Sequence, residues 1–129
     1  MLSDYSAIIV GGGPGCVSDD PATRDPAEAR AEAEILSLLL QIIAEDVHFM
    51  GCCAGIGILA HQLGGHVSKT RFAEPVSATQ GTLTEEGKKD PLLADLPERF
   101  NIFVGHKEAV QTLPPNAVHL MSSERCPTR

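Results

Sequence analysis

A chain of 129 residues, 43% hydrophobic and 21% charged, suits one globular domain and is too short for two. Size scaling predicts a folded surface of ~6,600 Å² with about two-thirds of the unfolded area buried, enough for a core without staples. Seventeen acidic against ten basic residues leave a net charge of −7, aromatics are 4% and Trp is absent; the basic footprint and stacking platforms of a nucleic-acid binder are missing.

Apolar runs such as Leu38-Leu39-Leu40 fall far short of the ~20 residues that span a bilayer. The opening residues Met1-Leu2-Ser3-Asp4 lack the positive and long apolar regions of a secretory leader. No membrane association and a cytoplasmic setting are expected. Four cysteines, two of them adjacent at Cys52-Cys53, lack the spread of a disulfide framework, and without a C-x-x-C pair the five scattered histidines give no zinc spacing. Thiol chemistry without a metal or other cofactor is the expectation.

In chain order, Ala7-Ile8-Ile9-Val10 reads as a short buried strand that stops at the loop Gly11-Gly12-Gly13-Pro14-Gly15. Asp25-Pro26-Ala27-Glu28 supplies an N-cap, Pro at the first helical position and Glu at the third. The helix that follows should lay Ile35, Leu38, Leu39, Ile42 and Ile43 along one stripe, with an acidic solvated face opposite. Val47-His48-Phe49-Met50 predicts a second strand, Gly51 to Gly55 a tight turn, and Ile56 to Leu63 a helix ending at Gly64-Gly65. Strand, loop, helix, strand, turn, helix is the alternation of a parallel α/β sheet. Short strands are expected between Val67 and Leu83, a loop around Asp90-Pro91 and Leu96-Pro97, and strands at Phe100 to Val104 and Val118 to Met121.

The segment Gly51-Cys52-Cys53-Ala54-Gly55 places a cysteine midway between two glycines at a strand-to-helix turn. This is the pattern of a nucleophile elbow, where side chains two positions either side would collide with neighbouring backbone. Cys53 would sit at a helix N-terminus, which favours thiolate, and the N–H of Ala54 could face a developing oxyanion. Cys52 should point into the sheet. The same glycines also fit close helix packing around a small buried Cys53.

These stretches together resemble the class I glutamine amidotransferases, in particular their GMP-synthase-like members. The resemblance rests on the strand and loop of residues 7–15, on residues 50–65 with His61-Gln62-Leu63-Gly64-Gly65, on Gly105-His106-Lys107-Glu108-Ala109-Val110 with Leu113-Pro114, and on Ser122-Ser123-Glu124-Arg125-Cys126-Pro127. It covers nearly all of residues 1–129 and implies a three-layer α/β fold: an open, mostly parallel sheet with helices on both faces. It implies release of ammonia from glutamine through a thioester on Cys53, with main-chain donors at Ala54 and Gly13. Gly13 and Gly15 would let their loop approach closely. The backbone at Gly105, His106 and Lys107 would hold the glutamine α-amino and α-carboxylate groups, and the ammonia would pass to a partner synthase domain or subunit. His106 is not implied as a base.

Two departures are visible. Gly57 stands where many members carry a substrate-binding Gln, and the His-Pro-Glu sequence that completes the family's catalytic triad is absent before Arg129. His48, His61, His66, His106 and His119 match no triad position. Family members also carry an opening strand and helix before the segment that starts near Asp4, so the domain reads as truncated at both ends, either a fragment of a longer protein or a form whose sheet edges an oligomer or partner would cover, and as hydrolysing glutamine feebly unless lengthened. The competing readings are a catalytically incomplete interaction or regulatory subunit on the same fold, and a related cysteine hydrolase of small amides or peptides.

Overall fold

The computed structural model describes residues 2–128. Strand β1 (Ile8–Val10) leads through the glycine loop to helix α1 (Pro26–Ala44), strand β2 (Phe49–Gly51) and helix α2 (Ala54–Gln62). Strands β3 (His66–Ser68), β4 (Glu74–Leu83), β5 (Arg99–His106), β6 (Ala109–Thr112) and β7 (Met121–Ser123) follow, with no further α-helix among the described residues.

Local chemistry sets the start of α1. The Asp25 carboxylate accepts from the N–H groups of Ala27 at 2.8 Å and Glu28 at 3.2 Å, and Pro26 occupies the first helical position. Two donors that the helix cannot satisfy internally are thereby paired. Asp25→Ala is expected to cost ~1 kcal/mol, read as a lower urea midpoint at unchanged slope.

Where α1 crosses from β1 to β2 the two strands run parallel, with Ile8 opposite Phe49 and Val10 opposite Gly51. This is the only parallel pairing among the described strands, so a mostly parallel sheet is corrected here. β3 pairs antiparallel with β6, and β4 lies between β5 and β7, antiparallel to both. Parallel neighbours need a long crossover, whereas turns and loops return the chain beside itself in the opposite sense. After α2 no α-helix among the described residues is there to serve as a crossover.

The stripe on α1 meets β1, β2 and α2. Leu39 and Ile42 are buried with Ile58, and Ile8, Ile35, Leu38, Phe49 and Leu59 pack around them. A second cluster joins Ala60, Val67 and Val110 between α2 and the β3–β6 pair. Leu39 is the one large side chain wholly excluded from solvent among the described residues, so the core is smaller than size scaling predicts. The accessible surface is 8411 Å², and apolar residues account for part of the excess. Phe103 is 95% and Val76 93% exposed.

Three other expectations need correction. β1 is not buried, because Ile9 projects from the face opposite α1 and is 68% exposed. Ile43 falls past the edge of the α1 stripe and is exposed. The last strand begins at Met121 rather than Val118, since it is pairing with Gly81–Leu83 of β4 that defines it. β6, part of a segment read only for its resemblance, is a strand held by β3. No helix among the described residues is long and apolar enough to cross a membrane.

Candidate active site

Between β2 and α2 the chain reverses within two residues. The N–H of Cys52 donates to the Val10 carbonyl at 2.8 Å, extending the β1–β2 ladder, and Cys53 then takes φ 54° and ψ −109°. A non-glycine residue in that region stores ~1 to 3 kcal/mol of strain. The flanking glycines make the turn possible. A Cβ on Gly51 would stand 2.5 Å from the Gly55 carbonyl oxygen, and one on Gly55 would overlap the carbonyl oxygen of Val10. Backbone, which cannot swing aside, is the obstacle at both positions.

That geometry presents Cys53 to solvent while Cys52 is half-buried and Cys16 and Cys126 are buried; all four are free thiols. Burial pushes the thiols of Cys16 and Cys126 up from their ordinary values, with Glu108 adding to the effect at Cys16. The Cys53 thiol donates a long hydrogen bond, 3.8 Å, to the Gly105 carbonyl. It lines a cavity of about 290 Å³ together with Gly13, Gly15, Ala54, Gly105, His106 and Lys107. Residues separated by up to 94 positions thus converge on one thiol.

Within the glycine loop the close approach belongs to Gly12, whose Cβ would lie 3.2 Å from the Cys53 Cβ and 3.4 Å from Sγ. A Cβ on Gly13 would meet no protein atom within 4 Å, and one on Gly15 would meet the Glu28 side chain at 3.3 Å. Gly12 was legible only as one member of the loop, because what singles it out is a contact 41 residues away.

His106 has both ring nitrogens engaged, Nδ1 with the Glu108 carbonyl at 2.8 Å and Nε2 with a Glu74 carboxylate oxygen at 2.9 Å. It is therefore not placed to take the Cys53 proton. Lys107 is exposed. Gly57 is buried beneath Glu108, whose Oε1 would be 2.5 Å from a Cβ there. The Glu108 carboxylate fills that volume and accepts from the N–H groups of Val17 at 3.1 Å and Ser18 at 3.0 Å and from the Ser18 hydroxyl at 2.7 Å. It fastens the chain after the glycine loop to the segment bearing Gly105.

Glu108, Glu74 and Cys126 are the site residues that sequence reasoning passed over. A hint existed in Glu108, a carboxylate directly before the apolar pair Ala109-Val110. Glu74, His106 and Cys126 are the group of potential metal ligands formed among the described residues.

The family model described as "Glutamine amidotransferase class-I" matches residues 1–127. The chain is 28% identical over 122 residues to a GMP synthase [glutamine-hydrolyzing] of Thermosipho melanesiensis, covering 95% of this chain and 20% of that protein. A GMP synthase [glutamine-hydrolyzing] of an Enterobacter species is 29% identical over 126 residues, covering 95% and 22%. Among solved structures, a glutamine amidotransferase from Thermotoga maritima superposes with a TM-score of 0.79 at 22% identity, over 99% of this chain and 51% of that one. A glutamine amido transferase from Methylobacillus flagellatus gives 0.77 at 23% identity, over 100% and 47%. The chain thus spans about a fifth of these curated relatives and about half of these solved structures.

Proposed function

The chain belongs to the class I glutamine amidotransferase family, and from that membership we propose that residues 1–129 form a single domain that releases ammonia from glutamine through a thioester on Cys53. The observation that carries this reading is the exposed, strained Cys53, held at a strand-to-helix turn beside the glycine loop and the backbone of Gly105. The turn is read as a nucleophile elbow at the centre of a three-layer fold.

The Cys53 sulfur, as thiolate, attacks the carboxamide carbon; an S–C bond forms and the carbonyl electron pair moves onto oxygen. The N–H of Ala54 has no intrahelical partner at the first position of α2, and with the N–H of Gly13 it stabilises that oxyanion. Charge that appears only in the transition state is where such donors lower the barrier. Collapse breaks the C–N bond as the amide nitrogen takes up a proton from solvent and leaves as ammonia; water then cleaves the thioester to glutamate and restores the thiol. The backbone of Gly105, His106 and Lys107 holds the α-amino and α-carboxylate groups, and Gly15 shapes the adjacent wall. Gly57 offers no side chain to substrate, and the carboxylate of Glu108 above it takes the place of one.

The ammonia passes to a partner synthase domain or subunit, a reading supported by relatives named GMP synthase. Four free thiols fit a reducing, cytoplasmic setting. A second reading, a non-catalytic subunit on the same fold, draws on one observation. Among the described residues the hydrogen-bond partner of Cys53 Sγ is the Gly105 carbonyl, which does not serve as a general base.

Limiting amounts of a glutamine-analogue chloroketone, followed by peptide mapping, test the assignment. Modification is expected at Cys53 first, at Cys52 more slowly and at Cys16 and Cys126 last, with glutamine protecting Cys53. Labelling that favours Cys52 or Cys126, or that ignores glutamine, would overturn it.

A further inference from the structure

Three side chains of different donor type meet beside the Cys53 cavity. Glu74 opens β4, His106 closes β5, and Cys126 lies in the turn after β7; one ligand atom from each lies within 4.8 Å of the other two. Glu74 and His106 are opposite one another in the β4–β5 ladder. The Cys126 N–H donates to Ser123 Oγ at 3.2 Å, and the Ser123 N–H donates to the Cys126 carbonyl at 2.9 Å, closing that turn onto a strand that pairs with β4. All three residues are thus carried by one three-stranded sheet. The Glu74 side chain is 1% exposed, that of His106 18%, and Cys126 is 4% exposed.

Hydrogen-bond accounting adds an independent observation. The Glu108 carbonyl can only accept, so Nδ1 of His106 carries a proton. A neutral imidazole has a single N–H, which leaves the Nε2 lone pair facing a carboxylate oxygen at 2.9 Å. Two bare acceptors do not face one another at that distance, so a proton, on the ring or on the carboxyl, or a metal ion lies between them. A carbonyl holding Nδ1–H is also how proteins orient a histidine that ligates through Nε2.

We propose that Glu74, His106 and Cys126 bind a zinc-class divalent cation through a carboxylate oxygen, Nε2 and Sγ, leaving a fourth position to water or another ligand. One oxygen, one nitrogen and one sulfur donor match a borderline-soft ion and not the all-oxygen shells of Ca²⁺ or Mg²⁺. Bond lengths of about 2.0 to 2.3 Å put tetrahedral ligand atoms about 3.4 to 3.6 Å apart. The pair at 2.9 Å must open by a fraction of an ångström, and the sulfur, which lies within 4.8 Å of the other two atoms, must close by at most little more than an ångström, both within side-chain motion. On binding, the Cys126 thiol gives its proton to solvent and the metal displaces the proton between His106 and Glu74, which also goes to solvent. Cys53 lines one cavity with Glu74 and His106 and a second with His106 and Cys126, so an ion held there forms part of the wall next to it.

The test titrates the metal-free 129-residue chain with Co²⁺, then displaces it with Zn²⁺. One equivalent is expected to bind, with sulfur-to-cobalt charge-transfer absorption and the ligand-field bands of tetrahedral cobalt. Cys126→Ser should abolish the charge-transfer band, Glu74→Gln should weaken affinity at least about tenfold, and Cys53→Ser should change neither. Circular dichroism establishes that each variant is folded. Should Cys126→Ser unfold, the near-isosteric Glu74→Gln decides. Binding that survives Glu74→Gln undiminished, a band that is lost with Cys53→Ser, or no binding at micromolar metal would overturn the proposal.

Discussion

Leu39→Ala is expected to destabilise the chain by ~2 to 5 kcal/mol, the range for truncating a fully enclosed leucine. Leu39 is 0% exposed and sits where α1 meets Ile42 and Ile58, with β1, β2 and α2 all contributing to its surroundings. Because the core clusters are small, that loss is a large share of the ~5 to 15 kcal/mol by which folded domains are stable. Urea titration is the measurement, set beside Asp25→Ala. A loss for Leu39→Ala no greater than that for Asp25→Ala would show that the α1 stripe is not the centre of the core.

Gly55→Ala is expected to lower stability by ~1 to 3 kcal/mol or more and to abolish reaction of Cys53 with a glutamine-analogue chloroketone. Intrinsic helix propensity argues the other way, since Ala is favoured over Gly by ~1 kcal/mol within a helix. Steric overlap wins here because the added Cβ falls on the Val10 carbonyl oxygen, and that carbonyl already accepts the N–H of Cys52 at 2.8 Å. Moving either partner changes the turn that aims Cys53. A thermal melt together with labelling kinetics reads both effects. A variant as stable and as reactive as the parent would mean that α2 does not press on β1 as described.

Glycine, proline and capping residues made much of the local structure readable. Asp25-Pro26 announced α1, and Gly51-x-Cys53-x-Gly55 announced a turn whose glycines meet backbone on both sides. Those signals act within a few residues. What was not legible depends on partners distant in sequence. Which residue of the glycine loop touches Cys53, the filling of the Gly57 site by Glu108, and the pairing of β3 with β6 are all set by tertiary contacts. Exposure was misread at Ile9 and Ile43 for a related reason: an apolar side chain announces that a surface can be covered, not that this chain covers it.

The central claim is that Cys53 attacks the carboxamide of glutamine, and trapping the intermediate tests it most directly. The purified chain is incubated with isotopically labelled glutamine, quenched in acid and mapped by mass spectrometry while released ammonia is quantified. A γ-glutamyl adduct is expected on the peptide bearing Cys53. Ammonia release should be well below ~1 per second, the lower end of ordinary enzyme turnover, because no side-chain base contacts Sγ among the described residues. Both signals should vanish in Cys53→Ala. Ammonia release that persists undiminished in Cys53→Ala, or an adduct on another residue, would contradict the assignment of Cys53 as the nucleophile.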